Sequence, residues 1–332
     1  MLRASVAIAT WNRRALLEQL VDALENQTIP ASEFEVIVCD SDSTDGTKDA
    51  ILALAAHHKN LRYVNVAQNT LAAKRNQGIH AAKANIIIFM DDDAIPDARF
   101  VDSHVKAHEK SAGIVFCGQI RYPEKWITQS NYFRYRDSRH LGPSRPDVPP
   151  SDLPPWMITV MNLSFKRSEI VSQVGYVSEE FTRYGGEDTE LGFRIVAVGM
   201  RLVYLPEALV LHYEYEGSIR KYYRKAYVAM RDSAPVLYRL APGFLHATKG
   251  GYLERIYANT NVCTAILRQV ARICTHPWAV RLTIGCLERI DRYRFLYLPS
   301  AYQYLTAVAA LAGIRDRACT LQSLQLKGAW FE

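Results

Sequence analysis

The chain has 332 residues, which at roughly 100–200 residues per domain makes two domains, or one large domain with an appendage. Hydrophobic residues at 49%, charged residues at 22% and 14 prolines exclude a disordered, collagen-like or coiled-coil protein. The net charge of +6 conceals an asymmetry, because residues 216–332 hold 17 Lys and Arg against 7 Asp and Glu, leaving residues 1–215 mildly acidic.

Residues 4–10 form a short apolar run ended by a polar turn, and Ala15, Leu16, Leu20, Ala23 and Leu24 follow at helical spacing. The pattern of strand, loop and helix then repeats. Phe34 to Cys39 reads as a buried strand, Asp40 to Gly46 as a turn, and Thr47 to His57 as a helix with Thr44 and Asp45 available to cap it. Leu61 to Val66 is a third strand, Leu71 to Ala82 a third helix, and Ile86 to Met90 a fully apolar fourth strand. Strands alternating with helices predict an α/β fold whose mostly parallel sheet carries helices on both faces. Gly113 to Cys117 is a fifth strand. Arg121 to Pro155 is irregular, which suits a lid or binding loop, or short helices that periodicity does not resolve. Strands are expected again at 158–165, 201–205 and 208–213, around a helix from Glu187 to Val198. Beyond residue 215 the chain reads as a basic helical region broken by Pro235, Pro242, Pro277 and Pro299.

No cysteine pair has metal-ligand spacing: Cys39, Cys117, Cys263, Cys274, Cys286 and Cys319 are scattered, as reduced thiols of a cytoplasmic protein would be. Val6 to Ala9 is too short for a signal peptide, and the run from Ala301 to Ile314 falls short of the ~20 residues that span a bilayer. The Arg, Leu, Ile and Trp mixture from Val262 to Leu287 suits peripheral contact with the anionic inner face of a membrane; packing on the protein's own core explains the same pattern. No nucleic-acid recognition motif is present.

Parallel sheets bind ligands at the carboxyl ends of their strands, and there the sequence places Thr10-Trp11-Asn12, Asp40-Ser41-Asp42 and Asp91-Asp92-Asp93. Three adjacent carboxylates at the end of a buried strand repel one another unless a cation or donors compensate them. Oxygen ligands on a rigid rim suit Mg²⁺ or Mn²⁺, which commonly bridge nucleotide phosphates. Gly185-Gly186-Glu187-Asp188 opens a helix, where glycines admit a close ligand and one of the two acids is a candidate general base. His212, ending a short strand, would add the nitrogen ligand that suits Mn²⁺.

Six segments together resemble family 2 glycosyltransferases of the GT-A fold: Val6 to Arg13, Val38 to Thr47, Ala73 to Gly78, Phe89 to Pro96, Asn162 to Arg167 and Gly185 to Leu191. The resemblance covers about residues 4–215 and implies a catalytic domain over 1–215, a Rossmann-like nucleotide-sugar site, a divalent metal and inversion at the anomeric carbon. By position it implies that Trp11 and Asp40 border the base with Arg75 beside it, and that Thr10 and Asp42 complete the donor contacts. It further implies that Asp92 meets the ribose, that Asp91, Asp93 and His212 hold Mn²⁺ or Mg²⁺, and that Asp188 is the general base. Trp156, Asn162, Gly186 and Glu187 would line the acceptor and donor-sugar pocket. A carboxylate of ordinary pKa is ionised at pH 7, so Asp188 is expected to work without a large shift. The sequence Tyr184-Gly-Gly-Glu-Asp188 is close to that of hexosamine-type and chondroitin-type transferases, implying a UDP-hexose or UDP-N-acetylhexosamine donor, with a glycan, glycolipid or small molecule as acceptor. Two other readings are a nucleotidyltransferase and a nucleotide-sugar binder without catalysis. The first would show a Gly-rich phosphate loop after strand one, and Ala9-Thr10-Trp11-Asn12 is not one. The second has no chemical need for the two acid clusters.

Overall fold

A computed structural model describes residues 1–145, 147–149, 152–214, 217–244 and 262–320 (side chains to 317), with residues 253 and 256. The chain divides into two compact units. The first comprises Met1–Gln129, Phe133–Glu180 and Glu187–Glu216; the second comprises Ser130–Tyr132, Phe181–Gly186 and Gly217–Glu332.

The opening alternation forms as the apolar periodicity predicts: β1 (Ala4–Thr10), α1 (Arg14–Glu25), β2 (Phe34–Asp40), α2 (Thr47–Ala55), β3 (Leu61–Asn65), α3 (Leu71–Ala81) and β4 (Ile86–Asp91). There follow β5 (Ala94–Pro96), α4 (Phe100–Glu109), β6 (Ile114–Arg121), α5 (Glu124–Gln129), α6 (Asn131–Asp137), β7 (Asn162–Lys166), α7 (Arg167–Gln173), α8 (Glu187–Ala197) and β8 (Arg201–His212). The eight strands make one sheet in the order β3-β2-β1-β4-β7-β6-β8-β5. Strands β3, β2, β1 and β4 run parallel, β7 is antiparallel to both its neighbours, β6 and β8 are parallel, and β5 is antiparallel to β8.

Every residue of β1 and β2 is buried, as strands covered on both faces must be. Alternate side chains enter opposite layers. Ala7, Ile37, Ile87 and Phe89 join Ile79 of α3 and Leu191 and Ile195 of α8. Val6, Ile8, Val36 and Ile88 join Leu17 and Leu20 of α1 and Val101 and Val105 of α4. Gly78 lets α3 lie directly on β1, since a Cβ there would stand 2.7 Å from that of Ala7.

Two expectations are corrected. Residues 158–161 are not strand, because Pro155–Met157 makes a 3₁₀ turn and β7 begins at Asn162. The two short strands at 201–213 are one: the register against β6 jumps from Leu205 opposite Gly118 to Leu209 opposite Gln119, so Pro206 sits in a bulge where no ladder donor is needed. Of the two readings given for the irregular 121–155 stretch, short helices are present, as α5 and α6.

In the second unit, α9 (Ile219–Val228) is capped by the Ser218 hydroxyl, which accepts from the Lys221 amide. It runs through a π-helical stretch, Ala229–Ser233, into α10 (Ala234–Leu240). Pro235 has no N–H for the carbonyl a turn earlier, and the ladder loosens there. Helices α11 (Val262–Cys274), α12 (Pro277–Ile290) and α13 (Pro299–Thr320) follow. Among the described residues no helix is long and apolar enough to cross a membrane.

Candidate active site

Register brings the polar strand ends to one edge: Thr10 lies opposite Asp40 across β1 and β2, and Ala9 opposite Asp91 across β1 and β4. Asp40 is fully buried and turned into its own loop, accepting from the Ser43 amide (3.1 Å), the Ser43 hydroxyl and the Tyr63 hydroxyl (2.9 Å). It thereby shapes the turn that presents Asp42, exposed and in left-handed backbone at φ 49°. Asn12, at φ 52°, ties the first loop to this turn by accepting from the Thr44 amide at 2.7 Å. Trp11 is half exposed beside it.

The compensation that three adjacent carboxylates demand comes from two arginines. Arg13 Nη1 donates to Asp92 Oδ1 at 2.9 Å and to Asp93 Oδ2 at 2.7 Å, while the Thr10 hydroxyl donates to Asp92 Oδ2 at 2.8 Å. Arg75, expected beside the base, instead joins the two acid clusters, with Nη2 on Asp91 Oδ1 at 3.1 Å and Nη1 on Glu187 Oε1 at 3.0 Å. Burial works against the charge of both arginines, and the surrounding carboxylates outweigh it, raising each pKa. Asp92 is pushed up to about 7, chiefly by burial and also by Asp93, against the pull of Arg13. Lys74, on the same helix as Arg75, is buried and lowered to about 8 by that burial, with Asp40 and Asp92 opposing.

His212 reaches the rim through sheet pairing. Ala94 lies opposite His212 across β5 and β8, and the Tyr213 amide donates to the Asp93 carbonyl at 2.7 Å. His212 Nε2 is consequently 3.6 Å from Asp93 Oδ1. Its Nδ1 is 3.2 Å from His140 Nε2, and the Tyr122 ring stacks on it at 5.0 Å. When His212 Nδ1–H donates to His140, the Nε2 lone pair is left for a ligand, which is the tautomer a metal requires. Cis ligands of an octahedral ion at about 2.1 Å stand about 3 Å apart, so the Asp93 and His212 pair fits such an ion after a shift of a few tenths of an ångström. Among the described residues no three His, Cys, Asp or Glu side chains form a ready cluster, since Asp91 is turned to Arg75.

Gly185 and Gly186 enter α8 at φ 89° and 102°, backbone that other residues rarely adopt. Glu187 is buried, and its Oε2 has no hydrogen-bond partner, leaving an acceptor for an arriving hydroxyl. Asp188 is half-buried, with Oδ1 accepting from the Thr189 amide at 2.8 Å. Burial first, then the Glu187 charge, raise Asp188 to about 7 while Arg75 opposes them. The expectation of an ordinary pKa is thus corrected, and the new value lies near the optimum for a base at neutral pH.

Asn162 is fully buried, and its amide is used within the sheet. It donates to the Gln119 and Ala208 carbonyls at 3.0 and 2.8 Å, and its Oδ1 meets His104 Nε2 at 2.9 Å. Gly118 makes room for it, as a Cβ there would fall 2.2 Å from Oδ1. Trp156 is partly exposed on the 3₁₀ turn, which packs on α8 where Gly192 meets the Pro155 carbonyl. Sequence reasoning assigned no role to Arg13, Lys74, Tyr122 or His140. Arg13 and Lys74 lie inside two of the quoted motifs, which was the available signal; Tyr122 and His140 lie in or next to the irregular stretch and gave none.

This sheet and its acidic edge define a GT-A fold. Among solved structures it is similar to the mannosyltransferase PcManGT from Pyrobaculum calidifontis in complex with GDP-Man and Mn²⁺, with a TM-score of 0.56, 20% identity, and 93% of this chain and 86% of that one covered. It is also similar to S. aureus TarS 1-349 in complex with UDP, with a TM-score of 0.52, 14% identity, and 96% and 92% covered. Residues 5–155 match the glycosyl transferase family 2 profile. Validoxylamine A glucosyltransferase of Streptomyces hygroscopicus subsp. jinggangensis is 31% identical over 222 residues, 59% of this chain and 52% of the relative. The chain spans about half the length of that relative.

Proposed function

We propose that the protein is a metal-dependent inverting glycosyltransferase that moves a sugar from a nucleotide-sugar to the hydroxyl of a glycan, glycolipid or small molecule. The observation that carries this reading is the Arg75 tie, which holds Asp91 of the donor rim and Glu187 beside Asp188 within one guanidinium's reach. Leaving group and nucleophile can then be served on either side of one anomeric carbon. Asp93 and His212, with Asp91 once released from Arg75, would hold Mn²⁺ or Mg²⁺, which when bound supplies charge for the departing diphosphate.

The remaining steps belong to the chain. Trp11 and Asp42 form the edge on which the nucleoside would rest, with buried Thr10, Asp40 and Asp92 shaping it from beneath. Glu187 Oε2 and Gly186 would accept the sugar and acceptor groups, with Trp156 flanking them. Asp188 takes the acceptor's proton as its oxygen bonds to the anomeric carbon. The bond to the diphosphate breaks on the opposite face, its electron pair leaving with phosphate oxygen, so configuration inverts and no general acid is required. The Tyr184 to Asp188 motif and the similarity to a glucosyltransferase support a UDP-hexose or UDP-N-acetylhexosamine donor.

The test has two arms. A thermal-shift panel of nucleotide-sugars with and without Mn²⁺ should show one metal-dependent donor, because a ligand of the folded state raises its apparent stability. Asp188→Asn should keep that shift and lose transfer by at least ~10²-fold; transfer within a few-fold of the parent refutes the base assignment.

A further inference from the structure

Helix α11 is built the wrong way round for a soluble helix. Its inward face presents two small residues, Thr264 and Ala271, seven positions apart and both buried. On the opposite face, at helical spacing, stand Val262 (76% exposed), Ile266, Val270 and Ile273 (63% exposed). The next helix repeats the arrangement, since α12 buries Val280, Ile284 and Leu287 and leaves Trp278 and Leu282 outward. Phe295, 84% exposed, follows its end. An outward apolar stripe across successive helices loses hydrophobic free energy in water, so it marks a surface that is covered in use.

The charges choose the cover. Residues 262–298 carry six arginines against Glu288 and Asp291, and Arg272, Arg281 and Arg289 are exposed on these two helices. A second copy of the chain would bring the same arginines face to face across a two-fold contact. An anionic bilayer surface complements them, and Trp with Arg beside an aliphatic stripe is the composition that settles at the headgroup boundary.

We infer that the outward faces of α11 and α12 are a peripheral docking surface for anionic membrane, with Ile266, Ile273, Trp278 and Leu282 entering the interface and Arg281 and Arg289 meeting phosphate headgroups. This goes beyond the transferase reading and does not depend on it.

The test is co-sedimentation of the full-length protein with vesicles of phosphatidylcholine alone or containing phosphatidylserine. Binding is expected with the anionic vesicles only. Each arginine at such a surface is worth roughly fivefold, so Arg281→Gln with Arg289→Gln should weaken binding about 25-fold. Ile266→Asp with Ile273→Asp should abolish it with melting temperature unchanged, as both side chains are solvent-facing. If those aspartates lower the melting temperature, the arginine variants decide alone, for they touch no buried apolar contact. No binding to anionic vesicles, equal binding to neutral ones, or full binding by the variants overturns the inference. So does light scattering showing a dimer that the aspartates dissociate. Donor-induced thermal shifts on the same samples report the transferase site separately.

Discussion

Replacing Arg75 by Met tests the tie at the centre of the site. The guanidinium is almost wholly buried and spans Asp91 and Glu187 at 3.1 and 3.0 Å. Methionine fills much of the space but leaves two carboxylates without their cation, and breaking a buried pair in this way costs about 3–5 kcal/mol. At about 2–4 °C per kcal/mol for a domain of this size, the melting temperature should fall by roughly 10 °C. The second effect is on pH. Arg75 opposes the upward shift of Asp188, which stands at about 7 with Arg75 present. Without it the folded pKa rises further, the base is protonated over a wider range, and the rising limb of kcat/KM against pH moves to the alkaline side. Adding Glu187→Gln removes a charge that pushes Asp188 up, and should return part of the melting temperature and draw the limb back. Differential scanning calorimetry and a pH series of donor turnover read both effects. A melting change under about 2 °C, or a limb that stays or moves acidic, refutes this account of Arg75.

His140→Phe keeps a ring against Tyr122 and removes the nitrogen facing His212, so Mn²⁺ affinity, read by electron paramagnetic resonance of free ion, should fall about 10- to 100-fold; a change under twofold would show that His140 does not orient His212. His104 is lowered to about 3 and His108 to about 4, chiefly by burial, so the unfolded chain takes up protons below about 6.5 while the fold does not. Stability is therefore fully present above pH 6.5 and lost as pH falls, by about 1.4 kcal/mol per unit per group; urea titrations at pH 7 and 5 should show that slope, and it should roughly halve in His104→Gln. Gly313→Val should lower the melting temperature by several degrees, because a Cβ there would stand 2.6 Å from the Tyr227 carbonyl and 3.0 Å from the Arg231 amide; an unchanged melting curve would mean that α13 moves aside at little cost.

The first four strands were legible because each is a short apolar run that stops at a polar cluster, a pattern that needs no knowledge of the rest of the chain. Helix α4 was not, since two of its buried positions are His104 and His108, which count as polar in any periodicity although Ser164 and Asn162 satisfy them. Strand β8 was split at Pro206 because the bulge that excuses a proline belongs to the pairing with β6, not to the segment itself. Strand β5 has three residues, too few for alternation to register, yet it is the element that sets His212 against Asp93.

The acid clusters illustrate what a sequence states and what it withholds. Three adjacent carboxylates announce that positive charge is needed, but the supplier is a matter of tertiary distance: Arg75 finds Glu187 across 112 positions and Arg13 finds Asp93 across 80. The two oxygens of Asp93 face different ways, Oδ2 to Arg13 at 2.7 Å and Oδ1 toward His212 at 3.6 Å. A cation arriving on the His212 side therefore has no need to evict Arg13, whereas one that also recruits Asp91 must take it from Arg75. Releasing Arg75 from Asp91 would leave its charge to Glu187 and Asp188, lowering the pKa of the base once the donor site is loaded. In the proposed mechanism the same guanidinium would couple the two ends of the reaction, since it holds Asp91 and Glu187 together without ligand and would favour ionised Asp188 once Asp91 is drawn to a cation.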